Sequence, residues 1–248
     1  MSRTFSDEFL RRVSLGKIPG HKVFVIPGRK DSITTTALND VTETGNIVLP
    51  RPAGADLDLV SANANDTAVG TGVQNVHIEY LDSSGDEQTV SVATNGGTVN
   101  VGTAIHDVQW VHATAVGSGT VAAGDITLVD NATGATVYEQ ITAGGNQSLS
   151  CRYKVPASKK GYLYAWKSST VTRKIDMRLR ADVDRHNRGL QSGVFNFQDS
   201  EVLEQTSGPW TDLPWILCPA LSTIKVSGKS FTGTGDASAT FAILVIDD

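Results

Sequence analysis

The chain has 248 residues, 40% of them hydrophobic and 6% aromatic, which is enough for a sizeable core. Its net charge of -5 and pI near 5.5 argue against bulk nucleic-acid binding, and no run approaches the ~18 apolar residues of a membrane-crossing helix. Cys151 and Cys218 are the two cysteines; they stand too far apart for a zinc or redox motif and read as buried free thiols.

Residues 1–20 carry Arg3, Arg11, Arg12 and Lys17 and lack the apolar centre of a secretion signal, so synthesis in a cytoplasm is expected. Residues 6–14 read as one short helix. Ser6 can cap it, Asp7 and Glu8 suit its first turn, and Phe9, Leu10 and Val13 form an apolar stripe. A helix of about two turns is marginal alone, so it needs a surface to pack against. Gly16, Pro19-Gly20 and Pro27-Gly28 then interrupt the chain, and residues 15–53 look extended, with brief strands at Lys22–Ile26 and Asn46–Leu49. We therefore expect an N-terminal attachment arm over 1–53.

From residue 54 onward short strands and turns alternate to the end, with a possible subdivision near 151. Asn131, Asn65 and Asn146 open Asn-X-Ser/Thr sequons, read here as turns. Gly70-Thr71-Gly72 is not a phosphate loop: a polar turn precedes it, and the strand Val73–Asp82 follows where a dinucleotide site needs a helix. Lys174–Asp184 is a half-buried strand, with Ile175, Met177, Leu179, Ala181 and Val183 on one face. The last strand, Ser238–Ile246, is apolar on both faces beyond Thr240 and is expected to lie centrally. Many short strands with frequent turns predict an all-β fold over 54–248, a sandwich or a barrel; of these an antiparallel β-sandwich, jelly-roll-like, is the expectation once the resemblance given below is added. That body is expected to fold without the first 20 residues.

Charge is segregated. Residues 1–30 hold seven Lys/Arg against two acids, whereas residues 52–151 hold eleven acids and no Lys or Arg. Either Ser, Thr and Asn keep that block soluble, or it meets a basic surface such as a neighbouring subunit's arm.

Little in the sequence points to chemistry. Asp182, Asp184 and His186 share strand parity and could hold a cation, but Arg180, Arg185 and Arg188 beside them make a salt-bridged surface the plainer reading. His106 and His112 share parity with Trp110 but lie too far apart along a strand for one site. His77 and Glu79 have no nucleophile motif with them. No enzyme, cofactor or metal is expected. Trp210 and Trp215, in "SGPWTDLPWILCP", offer either a carbohydrate or partner platform or a lid over one end of the sandwich.

Two longer stretches carry a resemblance. "NDTAVGTGVQNVHIEYLDSSGDEQTVSV" and "ITAGGNQSLSCRYKVPASKKGYL" resemble segments of β-rich structural proteins of tailed-bacteriophage virions, and "GKIPGHKVFVIPGRKD" and "ATFAILVIDD" look like the two ends of such chains. "RHNRGLQSGVFNF" and "GPWTDLPW" depart from that pattern. The resemblance implies a virion location and a structural role: head decoration or cement, with a tail or neck component as the alternative. A carbohydrate-binding module is the alternative from a different class. The expected partner is the major capsid protein or another virion protein. Contact is expected through Phe9, Leu10, Arg11, Arg12, Val13 and Lys17, with Trp210 and Trp215 as a second surface. A homo-oligomer, specifically a trimer, is expected, and no nucleic-acid or membrane partner.

Overall fold

The computed structural model describes residues 4–45, 47–49, 51–184, 186 and 188–248. The chain opens with α1 (Thr4–Ser14), β1 (His21–Ile33) and β2 (Asn39–Asp40). Seven strands follow: β3 (Ala55–Ser61), β4 (Val73–Leu81), β5 (Glu87–Ala93), β6 (Thr98–Ile105), β7 (Asp107–Val116), β8 (Ile126–Asp130) and β9 (Val137–Ile141). The last seven are β10 (Arg152–Lys154), β11 (Lys159–Thr170), β12 (Lys174–Ala181), β13 (Asn196–Glu204), β14 (Thr211–Cys218), β15 (Thr223–Ser230) and β16 (Gly235–Asp247).

These strands build two units, each with its own core. In the larger, one sheet runs β1–β16–β11–β14 and the other β10–β15–β12–β13, with β2 also on β15. Because β2 and β10 both pair with β15, they act as one strand interrupted by the residues between them. Counted so, eight strands in chain order form sheets 1-8-3-6 and 2-7-4-5, the jelly-roll connectivity. The inner faces bury Ile175, Met177, Leu179 and Ala181 of β12 against Trp166, Phe241 and Ile243. As its two apolar faces require, β16 lies centrally, between β1 and β11, and Phe241 to Val245 are all buried.

The smaller unit is an insertion into the second jelly-roll strand. It pairs a β6–β3–β8–β9 sheet with a β5–β4–β7 sheet over Leu57, Leu59, Val76, Ile78, Val108, Val111 and Leu128. Its Gly70 and Gly72 serve the turn before β4, where a Cβ would collide with Asn65 O or the Asp66 carboxylate. Asp66 is fully buried and ties the turn together, accepting from Val73 N–H (2.8 Å), Ala123 N–H (2.9 Å) and Ser61 Oγ–H (2.8 Å).

Several expectations are redrawn. The division at residue 53 does not follow the sheets: β1 pairs with β16 from His21↔Ile246 to Lys30↔Ala237, so residues 21–33 belong to the body. The cation-free block 52–151 is, in substance, the inserted unit. Ile47, Val48 and Leu49 form no strand, and Asn46 lies outside the described residues. The helix starts at Thr4, so Ser6 stands within its first turn and not at a cap. The Trp210–Trp215 segment is not an irregular lid. Residues 211–218 form β14, an edge strand, which is where a strand tolerates Pro214.

Candidate functional site

At the N-terminus, α1 lies on β1, with the Phe9 ring edge-on to His21 at 5.9 Å. Val13 is only 3% exposed and Phe9 and Leu10 are half-buried, so the expected apolar stripe is largely used within the chain itself. Arg11, Arg12 and Lys17 face solvent, as does Leu15 at 56% exposure. Arg11 pairs with Glu8 one turn earlier at 3.1 Å. The arm thus presents exposed cations on and just beyond a docked helix, and not an open apolar face.

Trp210 and Trp215 are 46% and 38% exposed on the β14 edge. The register slips between Leu163 and Ala165 of β11, leaving three β14 residues opposite one. Trp215 adopts a left-handed φ of 52° within this bulge and lays its ring on Tyr164 at 5.4 Å. The Trp210 ring sits under Lys167 Nζ at 5.0 Å. Each indole therefore has its own neighbour.

Asp182, Asp184 and His186 do not converge. Asp182 accepts from Thr223 N–H (2.5 Å) and Gly193 N–H (3.4 Å), and Asp184 from His186 N–H (2.7 Å), so both carboxylates organise turns. Burial raises the Asp182 pKa against those two amides. Arg185 lies outside the described residues. Among the described residues no group of three His, Cys, Asp or Glu is placed to hold a metal.

The junction between the units is built from charge. Arg51 and Arg152, the cations that bracket the acidic block, both turn inward. Arg51 Nη2 donates to Glu139 Oε1 at 2.6 Å and to Tyr138 O. Arg152 Nη2 donates to Asp107 Oδ2 at 2.5 Å and Nη1 to Val108 O at 3.1 Å. All four charged side chains are at most 2% exposed. Lys159 adds a more exposed pair with Glu87 at 3.1 Å. Part of the basic surface expected to meet the acidic block thus comes from the chain itself.

Beside this junction a cleft of about 580 Å³ separates β1 from the β5–β4–β7 sheet. Lys22 to Pro27 form one wall; Glu79, Tyr80, Gln88 and Trp110 lie on the other, and Gln147 and Tyr153 also line it. Cross-strand register sets Thr89, Glu79 and Trp110 in one row and Ser91, His77 and His112 in the next. Trp110 stacks on His112 at 4.0 Å, and His77 follows at 5.2 Å, so three rings make a shelf leading out of the cleft. Burial, then the nearby His77, lowers the His112 pKa, and burial raises that of Glu79. Tyr153 is buried with Phe24 stacked on it at 5.4 Å, and its Oη has no partner among the described residues.

No family model matches the chain, and no curated protein matches it. Among solved structures, one of infectious bursal disease virus, Gx strain, aligns at 11% identity over 91% of this chain and 71% of that chain, with a TM-score of 0.25. The Gt strain of the same virus aligns at 11% identity over 96% and 78%, with a TM-score of 0.25. The N-terminal CBM22-1-CBM22-2 tandem domain of Paenibacillus barcinonensis Xyn10C aligns at 11% identity over 92% of each chain, with a TM-score of 0.23. Scores this low establish no common fold with any of them. What stands is an all-β protein, a jelly roll carrying an inserted β unit, and its functional reading rests on its own residues.

Proposed function

We propose that the protein is a structural component of a bacteriophage virion, a decoration protein on the head surface that attaches through the cationic face of α1. Jelly rolls serve viral shells and sugar-binding proteins alike, so the fold does not choose between them. The observation that carries the reading is the arrangement of α1: Val13 and Phe9 pin it to the body, while Arg11 and Arg12 on the helix and Lys17 just beyond it are all exposed, Arg11 beside Glu8. A pinned helix presents its charges without a large ordering cost, and such charges speed and orient docking to an acidic surface. The segments resembling virion proteins support the same reading. A closed symmetric oligomer, which we propose to be a trimer, suits a lattice of repeated sites.

Co-sedimentation with undecorated heads tests it. The parent protein is expected to pellet with heads, and Arg11→Ala with Arg12→Ala and Lys17→Ala to lose most of that binding at low salt. Since screening mutes surface charge, the difference should shrink as salt rises. Binding to purified tails and not to heads would favour the tail or neck alternative instead.

A further inference from the structure

The wall formed by β1 is an unpaired strand edge over a short, defined length. Asp247 N–H donates to Gly20 O at 2.9 Å on the β16 side. The alternation of an antiparallel ladder then turns the N–H and C=O of Val23 and Val25 away from β16. Further along, that outer edge is closed: Arg29 N–H donates to Leu149 O at 3.2 Å, and Pro27 has no N–H. The open stretch from Val23 to Val25 is about 7 Å long. That is short for an added peptide strand and close to the span of one sugar ring.

The rest of the cleft fits the same ligand. A pyranose has an apolar C–H face and a rim of hydroxyls. Trp110, 36% exposed, offers a flat ring for the first. Glu79, Gln147 and the unpartnered, buried Tyr153 hydroxyl offer acceptors and donors for the second. Gln88 gives one amide N–H to Asp82 at 3.0 Å, which leaves its second N–H as a donor and its carbonyl oxygen as an acceptor. Glu87 is already paired with Lys159, and Glu79 and Lys22 are the remaining charged lining groups, so the cleft has no surplus of cations to hold a carboxylated or sulfated sugar. The size is in the range of small-ligand sites between domains.

We propose that this cleft binds a neutral glycan through an N-acetylhexosamine residue, its ring face on Trp110 and its acetamido group paired with the open edge of β1. An acetamido group carries one N–H and one C=O, the pair that a strand edge offers. This site is separate from α1, so its success or failure is independent of head attachment.

Chitotriose and maltotriose, titrated into the full-length protein and followed by amide and indole NMR, are the probes. Chitotriose is expected to shift the Trp110 indole and the Val23 and Val25 amides, with a Kd of about 1 mM. Maltotriose is expected to bind at least tenfold more weakly, a difference of about 1.4 kcal/mol. Trp110→Ala should abolish the shifts at the β1 amides, Trp110→Phe should restore part of them, and Tyr153→Phe should weaken binding severalfold, all at the parent melting temperature. No shift with chitotriose, equal binding of the two sugars, or binding indifferent to Trp110→Ala would overturn the proposal. So would shifts of Val23 and Val25 produced by an extended Val-Thr-Val-Thr peptide but not by the sugar, which would make the cleft a peptide site.

Discussion

Arg152 shows how one side chain ties two units together. Its guanidinium leaves β10 of the jelly roll and ends on Asp107 and Val108 of the insert, out of contact with water. Breaking one side of such a pair strands a buried charge. Arg152→Met is therefore expected to destabilise the protein by about 3–5 kcal/mol in denaturant melts, with Asp107→Leu in the same chain recovering much of the loss. His112 makes a second prediction. Its folded pKa lies below its unfolded value near 6.5, so the native state resists its protonation. Its contribution is complete above about pH 6.5 and is lost as pH falls through that value towards the folded pKa. Glu79 and Glu43, raised by burial, act in the opposite sense in a more acidic range. The parent melting temperature should thus fall more steeply between about pH 7 and pH 5.5 than that of His112→Gln; equal slopes would contradict this. Both thiols are buried, with Cys218 pushed up to about 12, and should react with a thiol reagent only on unfolding. None of the shelf was legible as a site. In the sequence His77 stands with Glu79 and Trp110 with His112, and it is the β4–β7 pairing, across two intervening strands, that joins the two pairs.

At the level of elements, the strongly apolar strands were readable, whether one face is buried or both. β12 and β16 show this most plainly, with their alternate and continuous apolar runs. β14 was not readable, because Pro214 and the bulge at Trp215 break the period on an edge strand. β1 was underestimated for a related reason: Pro27-Gly28 looks like a break, yet both residues stay in register with β16, and Gly28 is required where a Cβ would meet Cys151 N and Val41 O. Two truncations separate arm from body. Removing residues 1–17 should leave the cooperative melt in place, with a modest loss from the Val13 and Phe9 contacts. Removing residues 1–33 strips β16 of one neighbour and should abolish the jelly-roll melt. If circular dichroism shows both variants melting like the parent, β1 is not part of the core.

For the whole molecule, the charge map was the most informative sequence feature, and what it marked is the inserted unit. The cation-free block is the insert, and the arginines at its two borders close its base from within the same chain. Since the insert has its own apolar cluster, residues 54–147 are expected to fold when excised, with a lower melting temperature than the whole chain. The all-β class was legible from strand count and turn spacing; the insertion was not, because β2 is only two residues long and its partner β15 lies far along the chain. The trimer proposal is checked by light scattering at micromolar concentration, where a monomer both free and on the particle would exclude it. The central claim, attachment to the head through α1, is tested most directly by a cryo-electron microscopy map of the virion. The account predicts jelly-roll density on the head lattice, with Arg11, Arg12 and Lys17 against the shell. Density confined to the tail, or a head-bound protein whose α1 faces solvent, would contradict it.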